Sequence, residues 1–280
     1  MQNLKTTLLV GLLLTSFAAL HADETYPAEP INYPAFSLHA VRVGKDGKVN
    51  ALVLTPEKPL PGNPWVLGSL QDVRSAPVAN MTRTQLELVR RGFHFVGVSP
   101  GVVLGAPDPN AVWDTTYEVM TTKHGLAKRV ALMGLSREGL PVARWAAANP
   151  GKVSCLYLDR AVCDFKSWPG GKLGIGLGSK NDWAMLQKVY SFKDEAEAMA
   201  FKENPVDLAP KLIADKVAII YVAGEKDTVV PYVENGARMQ QQYEKAGVAF
   251  QLIMRSGEDH HPHGLPDPTP VVDFIQKHAR

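Results

Sequence analysis

The chain has 280 residues and a formal net charge of +2, with 30 Lys and Arg residues against 28 Asp and Glu residues. This near-balance, without blocks of like charge, argues against a nucleic-acid surface that works through phosphate contacts. A chain of this length can bury the core of one α/β domain, and no apolar run beyond the first residues has membrane-spanning length.

The first residues have the features of a cleaved export signal. Lys5 is the only charged residue before Asp23, and the apolar run from Leu8 to Leu20 is short for a bilayer span. We predict a signal peptide over residues 1–22, with the remaining domain in the periplasm or outside the cell. An uncleaved membrane anchor is the alternative. After cleavage we expect no stable membrane insertion.

Residues 23–280 alternate predicted strands and helices. A β-hairpin opens the series, because an Asp-Gly turn signal at residues 46–47 separates two strand-like runs. Each later apolar run of strand length is followed by a helical pattern or a loop. This alternation predicts a mostly parallel sheet with helices on both faces. The predicted strands are 36–43, 49–54, 63–68, 93–98, 129–133, 153–158, 217–222 and 250–254, and the predicted helices are 81–91, 111–122, 140–149, 181–190 and 270–278.

One segment, residues 164–210, interrupts the alternation between the sixth and seventh predicted strands. It contains a glycine-rich run at 171–178, which lacks the spacing of a phosphate-binding loop. Long insertions of this kind commonly form lids or binding loops. We therefore predict that residues 164–210 form a lid or a wall of the substrate pocket.

Ser136 has the sequence context of a nucleophile. An apolar strand enters Gly134-Leu135-Ser136-Arg137, and a helical run follows directly. A sharp strand-to-helix turn of this kind lifts a serine hydroxyl above the end of a sheet. A hydroxyl also needs a base, which is commonly a histidine oriented by a carboxylate.

The predicted acid is Asp227, in the loop after the strand at 217–222. An acid there can reach a histidine in the loop of the next strand, since active sites of parallel sheets lie beyond the carboxyl ends of the strands. Asp159 and Asp164, which follow the preceding strand, are the alternatives.

The predicted base is His260, which follows the last predicted strand most directly. His261 is the rival base, and His263 is expected in the pocket wall. The three histidines with Asp259 are also possible zinc ligands. Because no further ligand cluster supports a metal site, we predict no metal.

Two backbone amides should stabilise the oxyanion. The amide of Arg137, directly after the serine, is the first candidate, and its position at a helix start is favourable. The second should come from the loop after the third strand, near Gly68. Cys155 and Cys163 are predicted to be buried free thiols, with a disulfide as the alternative.

With these residues in place, the chain resembles the α/β-hydrolase superfamily over residues 23–280. More narrowly, it looks like exported bacterial hydrolases of the dienelactone-hydrolase and prolyl-oligopeptidase-like group. The resemblance implies an α/β-hydrolase fold, a triad of Ser136, Asp227 and a histidine of the last loop, and ester hydrolysis without a cofactor, often on carbohydrate-linked esters. It rests on the segments 134–137, 163–171, 224–231 and 260–263.

Three features differ from the motifs of that group. Glu138 stands two residues after the serine, where a small residue is usual, and Gly139 follows it. Asp259 replaces the second glycine of the Gly-x-Gly turn before the histidine. The segment 67–69 lacks the aromatic and basic residues of the closest relatives.

The sequence is therefore compatible with three functions. The first is a secreted serine esterase that acts on small-molecule or carbohydrate esters through an acyl-enzyme. The second is a small-peptide hydrolase of the same fold, which ranks lower because peptidases of this group commonly carry a gating domain for which the chain has no room. The third is a binding protein that keeps the fold. Glu138 and Asp259 motivate the third, and the intact serine, acid and histidine argue against it.

Overall fold

The computed structural model describes residues 31–33, 35–45, 47, 49–69, 81–98, 104–106 and 110–279. The predicted signal peptide, residues 1–22, lies outside the described residues. The strands are β1 (Ile31–Tyr33), β2 (Phe36–Val43), β3 (Val49–Pro56), β4 (Trp65–Ser69), β5 (His94–Val98), β6 (Val130–Leu135), β7 (Val153–Asp159), β8 (Ala218–Gly224) and β9 (Phe250–Arg255). The helices are α1 (Arg83–Arg90), α2 (Asn110–Thr122), α3 (Gly139–Ala148), α4 (Lys180–Val189), α5 (Glu195–Ala200), α6 (Pro205–Ala214), α7 (Gly236–Ala246) and α8 (Thr269–His278).

The strands of the described chain form one nine-stranded sheet in the order β1-β2-β3-β5-β4-β6-β7-β8-β9. The strands β1, β2, β3 and β5 pair antiparallel. All pairs from β5 across to β9 are parallel, which confirms the predicted sheet. Parallel strands end at the same edge of a sheet, so the loops after β6, β7, β8 and β9 meet there.

Helices cover both faces of the sheet, as predicted. Side chains of β6 alternate between two cores, with Leu132 in one and Met133 in the other. The first core contains residues of α2, α3, α6 and α7, and the second contains residues of α1 and α8. Each large apolar side chain buried in this way contributes about 1.5–3 kcal/mol to stability. Representative residues are Trp113, Trp145, Leu212 and Met239 in the first core, and Leu88 and Val272 in the second.

Local signals set the limits of α1. The Thr82 hydroxyl accepts a hydrogen bond from the Gln85 amide, and the Gln85 side chain accepts one from the Thr82 amide at 2.6 Å. This capping box satisfies amides that the first turn leaves unpaired. Gly92 follows the helix with φ of 93°, a conformation that glycine adopts without strain.

The predicted insertion packs in a third apolar cluster that it shares with Leu140 of α3. Phe165 and Trp168 pack with Trp183 of α4 in this cluster, to which further aromatic side chains contribute. The last part of the segment forms α6, and Val206 and Leu212 of this helix belong to the first main core. Residues 164–204 are therefore an aromatic layer beside the loop after β7, and α6 is part of the covering of the sheet.

Cys155 and Cys163 are buried free thiols, as predicted. Burial raises the pKa of Cys155 to about 12 and raises the pKa of Cys163 as well. The thiolate is the reactive form of cysteine.

We expect neither thiol to react with a thiol reagent in the native protein at about pH 8, because the thiolate is almost absent. In denaturant both thiols should react without prior reduction. Counting labelled thiols by mass spectrometry tests this. Labelling that requires a reductant would contradict the assignment of free thiols.

Candidate active site

Ser136 occupies a strained turn between β6 and α3. Its φ is 52°, and a single 3-10 turn, Ser136–Glu138, leads into the helix. A left-handed conformation at a non-glycine residue costs on the order of 1–3 kcal/mol, so the surroundings must hold it. The Ser136 carbonyl accepts a hydrogen bond from the Val162 amide at 2.9 Å, which ties the turn to the loop after β7.

Glycine is required on both sides of this turn. A Cβ on Gly139 would lie 2.6 Å from the carbonyl oxygen of Val162, and a Cβ on Gly134 would lie 3.0 Å from that of Glu138. The small residue that lets α3 approach the neighbouring loop is therefore Gly139. This explains how the larger Glu138 can stand two residues after the serine.

Three side chains from separate loops form a chain of hydrogen bonds. The Ser136 Oγ lies 2.9 Å from Nε2 of His260, and Nδ1 of the same ring lies 2.8 Å from Oδ2 of Asp227. A carboxylate only accepts, so Nδ1 carries the proton and Nε2 accepts from the serine hydroxyl. The side chains of His260 and Asp227 are only 6% and 1% exposed, which protects the chain of bonds from water.

The second carboxylate oxygen of Asp227 is also satisfied. Its Oδ1 accepts hydrogen bonds from the amides of Val229 at 3.0 Å and Val230 at 2.8 Å. These bonds fix the carboxylate plane, which leaves Oδ2 for the imidazole. The alternative acids have other partners, since Asp159 pairs with Arg160 and Asp164 pairs with Arg238.

The histidine loop, residues 258–264, follows β9 and carries all three candidate histidines. His260 contacts both the serine and the acid, whereas His261 is exposed and packs its ring edge to face on that of His260. Partial desolvation and the neighbouring imidazoles lower the pKa of His261. Asp259 accepts a hydrogen bond from the His260 amide at 2.7 Å. Asp259, which stands where the related motif has a glycine, thus helps to fix the backbone of His260.

A buried ion pair holds the histidine loop in place. Arg160 and Asp159 follow one another at the end of β7, and both side chains are 0% exposed. The guanidinium donates to Asp159 at 3.1 Å and to the Glu258 carboxylate at 2.7 Å. It also donates to the carbonyl oxygens of Asp259 and Pro262, at 2.8 and 3.0 Å. The Arg160 side chain therefore contacts the histidine loop on both sides of His260.

The Asp159 carboxylate also binds the histidine loop, through the Gly264 amide. Burial opposes its ionisation, but the nearby imidazole of His263 and hydrogen bonds from Gly264 and Tyr157 outweigh burial and lower its pKa. The Gly264 amide donates to the carboxylate at 2.6 Å and the Tyr157 hydroxyl at 2.8 Å. From the sequence, Asp159 was expected only as an alternative triad acid, and no role was expected for Arg160.

We expect Arg160→Met to lower the free energy of unfolding by about 3–5 kcal/mol, because it removes the cation that pairs with the buried Asp159 carboxylate. Urea unfolding followed by tryptophan fluorescence measures this. Arg90→Met is the matched control, since the Arg90 side chain is 68% exposed in its pair with Glu87 and should lose only about 0–1 kcal/mol. Equal losses in the two variants would contradict the structural role of Arg160.

The oxyanion donors remain a prediction. Arg137 lies in the turn directly after the serine, as required for the first amide. Gly68 lies inside β4, where it is in register with Gly97 of β5 and Met133 of β6. The loop beyond Ser69, at residues 70–80, lies outside the described residues.

The insertion contacts the turn Ser136–Glu138 through the side chain of Arg137. The Arg137 guanidinium lies 5.3 Å from the centre of the Trp168 ring and 3.9 Å from the Asp182 carboxylate. The glycine-rich run is attached near the acid, since the Leu177 amide donates to the Thr228 carbonyl at 3.0 Å. The insertion therefore lies beside both the serine and the acid, which is consistent with a pocket wall.

A cavity of about 590 Å³ lies away from this site. It is lined by Pro64, Phe93 and Arg129, which directly precede β4, β5 and β6. The amino ends of these strands lie opposite the triad, so the cavity is not part of the candidate site. Among the described residues, no helix combines the length and apolar character needed to cross a membrane.

Comparisons with known proteins agree on the fold. The sequence matches no protein-family model and no curated protein. Its structure is similar to a puromycin-hydrolyzing peptidase of Mycobacterium tuberculosis, with a TM-score of 0.62 and 16% identity over 89% of this chain and 39% of that chain. It is also similar to the acylaminoacyl peptidase of Pyrococcus horikoshii, with a TM-score of 0.66 and 11% identity over 88% of this chain and 42% of that one.

A carboxyl esterase from the fungus Tuber melanosporum is a third similar structure, with a TM-score of 0.60 and 17% identity. The match covers 88% of this chain and 87% of the esterase. The chain thus spans about two fifths of the two peptidases and most of the esterase. These similarities show that the chain has the α/β-hydrolase fold, as predicted.

Proposed function

We propose that this protein is a serine hydrolase that cleaves carboxylic esters through a covalent acyl-enzyme. The observation that carries the proposal is the hydrogen-bonded chain from Ser136 Oγ through His260 to Asp227, at 2.9 and 2.8 Å. These distances lie within the reach that proton transfer between a nucleophile and its base requires.

In the first half-reaction, Ser136 Oγ attacks the ester carbonyl carbon while Nε2 of His260 takes the hydroxyl proton. Asp227 stabilises the imidazolium that forms and keeps the ring oriented. The Arg137 amide and an amide near Gly68 are the proposed donors to the oxyanion. When the tetrahedral intermediate collapses, His260 gives its proton to the leaving alcohol, and the acyl group stays on Ser136.

In the second half-reaction, a water molecule replaces the alcohol. His260 takes a proton from this water, and the resulting hydroxide attacks the acyl carbon. Collapse of the second intermediate returns the proton to Ser136 Oγ and releases the carboxylic acid.

An ester substrate is favoured over a peptide by the similarity to the carboxyl esterase, which extends over 87% of that protein. The peptidases match over 39% and 42% of their length, so most of each peptidase has no counterpart in the match. Small-peptide hydrolysis is the second candidate, since several similar structures are peptidases. A carbohydrate-linked ester is the proposed natural substrate class, on the sequence resemblance alone.

The test compares two chromogenic substrates, a short-chain nitrophenyl ester and an aminoacyl nitroanilide. We expect turnover of the ester that is lost in Ser136→Ala, with little turnover of the anilide. Preferential cleavage of the anilide would favour the peptidase. If a folded protein cleaves neither substrate, a binding function becomes the better account.

Export is proposed on the sequence alone. Lys5 followed by the apolar run to Leu20 has the form of a secretory signal. Expression of the full chain in a bacterium, followed by N-terminal sequencing of the periplasmic fraction, should give a chain that begins at Asp23. Retention of Met1 in a membrane fraction would favour an anchor.

A further inference from the structure

The side chains of the three histidines in the histidine loop lie close together, and one of them, His260, contacts Ser136 and Asp227. The ring centroids of His260, His261 and His263 lie 4.8, 5.0 and 4.8 Å apart in pairs. The rings are steeply inclined to one another, at 73°, 85° and 77°. One nitrogen from each ring lies within 4.8 Å of the other two. Three imidazoles at this spacing are a donor set for a divalent transition metal ion.

One of the rings has the outer hydrogen bond that orients a metal ligand. Nδ1 of His260 donates to Asp227 at 2.8 Å, which fixes this ring and leaves its Nε2 lone pair for an ion. Nδ1 of His263 lies 3.6 Å from Asp159, too far for a hydrogen bond, so this ring can turn toward an ion. The same two carboxylates place negative charge around the three rings.

The loop is also rigid and accessible. Arg160 attaches it at Glu258, Asp259 and Pro262, so two of the three rings stand on a fixed backbone. His261 is exposed, so an ion can reach the group from solvent and the His261 side chain can rotate toward it.

We propose that His260, His261 and His263 form a reversible inhibitory site for Zn²⁺, with water as the fourth ligand. Zinc–nitrogen bonds of about 2.0–2.1 Å place tetrahedral ligand atoms roughly 3.3 Å apart. The rings must therefore move closer together, and His261 is the side chain most free to do so. This rearrangement predicts an affinity in the micromolar range, well below that of a structural zinc site.

Zinc would inhibit the proposed reaction by binding Nε2 of His260. Nε2 of His260 is the atom that accepts the serine hydroxyl proton in the proposed mechanism. When its lone pair is donated to zinc, the hydrogen bond to Ser136 is lost and the base is blocked. Zinc–nitrogen bonds form, bound water leaves the ion, and no carbon bond changes. Mg²⁺ and Ca²⁺ prefer oxygen ligands and should not bind.

The experiment separates metal binding from catalysis. Calorimetric titration of Ser136→Ala with ZnCl₂ keeps all three histidines and needs no activity. We expect one zinc per chain, no heat with MgCl₂, and an affinity at least about tenfold weaker when His261→Ala is added, as loss of even an outer ligand causes. The added change His124→Ala is the matched control, because His124 is also exposed and lies 6.0 Å from another ring, that of His39.

Failure of the zinc site and failure of the hydrolase proposal give different results. No zinc binding, or equal affinity with and without His261→Ala, would overturn the site, as would a loss of binding in His124→Ala alone. The inhibitory role rests on the proposed function, and it is tested by labelling Ser136 of the wild-type protein with a fluorophosphonate. Zinc should slow this labelling, and an unchanged rate at saturating zinc would refute inhibition. Failure of the hydrolase proposal would instead appear as no labelling without zinc, while the titration still reports the site.

Discussion

The variant Ser136→Ala is expected to lower kcat for a nitrophenyl ester by about 10⁶-fold, which is the typical effect of removing the nucleophile of such a triad. Oxyanion donors and substrate binding leave a residual rate above that in water. The free energy of unfolding should change by less than about 1 kcal/mol, because the variant loses one half-buried hydrogen bond. Alanine meets the same strain as serine at a φ of 52°, so the turn gains no relief.

Steady-state kinetics with active protein at known concentration measure the effect of Ser136→Ala. Ser256→Ala is the matched control, since Ser256 is exposed and its hydroxyl contacts Glu225, away from the triad. The control should retain wild-type activity. If Ser136→Ala keeps more than a small fraction of the wild-type rate, another nucleophile must carry the reaction.

The variant Asp227→Asn is expected to lower kcat by about 10⁴-fold with little change in structure. The Asn carbonyl oxygen can keep the hydrogen bonds from the Val229 and Val230 amides that Oδ1 now accepts. The amide NH₂ then takes the place of Oδ2 and donates to Nδ1 of His260. The ring must present Nε2–H to Ser136, so it can no longer accept the hydroxyl proton.

The control for Asp227→Asn is Glu225→Gln, in the same loop. The Glu225 carboxylate accepts from the Ser256 hydroxyl and the Gly257 amide, and neither contact reaches the triad. This variant should keep its rate within a small factor of the wild type. A rate for Asp227→Asn within tenfold of wild type would show that the carboxylate does not orient the base.

Sequence patterns place the three candidate triad residues directly after predicted strands. Ser136, Asp227 and His260 each follow an apolar strand, and parallel pairing brings these ends to one edge. The choice between His260 and His261 could not be made from sequence, because adjacent residues share the loop and only their side-chain directions differ. In the structure His260 contacts both Ser136 and Asp227.

Arg160 was missed because its role depends on contacts distant in sequence. It lies about a hundred positions from Glu258 and Pro262, and its guanidinium donates hydrogen bonds to oxygen atoms of both residues. The available signal was an Asp-Arg dipeptide at the end of a mostly apolar strand, a position where charges are rarely buried unless paired.

The helix α7 was also not predicted, although its signals are visible in the sequence. Its buried Met239 and Tyr243 are four residues apart, and Gly247 ends the helix with φ of 67°. The remaining residues of α7 are mostly polar, so its apolar stripe is narrow. Such helices depend on packing more than on their own pattern.

The two departures near the triad have local explanations. Glu138 is the last residue of the 3-10 turn, and the close contact to Val162 is made by the next residue, Gly139, so the bulk of the glutamate does not separate helix and loop. Asp259 accepts from the His260 amide through its side chain and from Arg160 through its carbonyl. Both residues are therefore compatible with an intact site, which weakens the case for a binding protein that only keeps the fold.

A fluorophosphonate probe tests most directly whether His260 activates Ser136 as a nucleophile. The probe reacts with activated serines and needs no knowledge of the natural substrate. We predict one covalent adduct per native chain, on the peptide that contains Ser136, and none in Asp227→Asn or in urea-unfolded protein over the same time. A native, folded protein that gains no adduct, or gains it on another residue, would contradict the account.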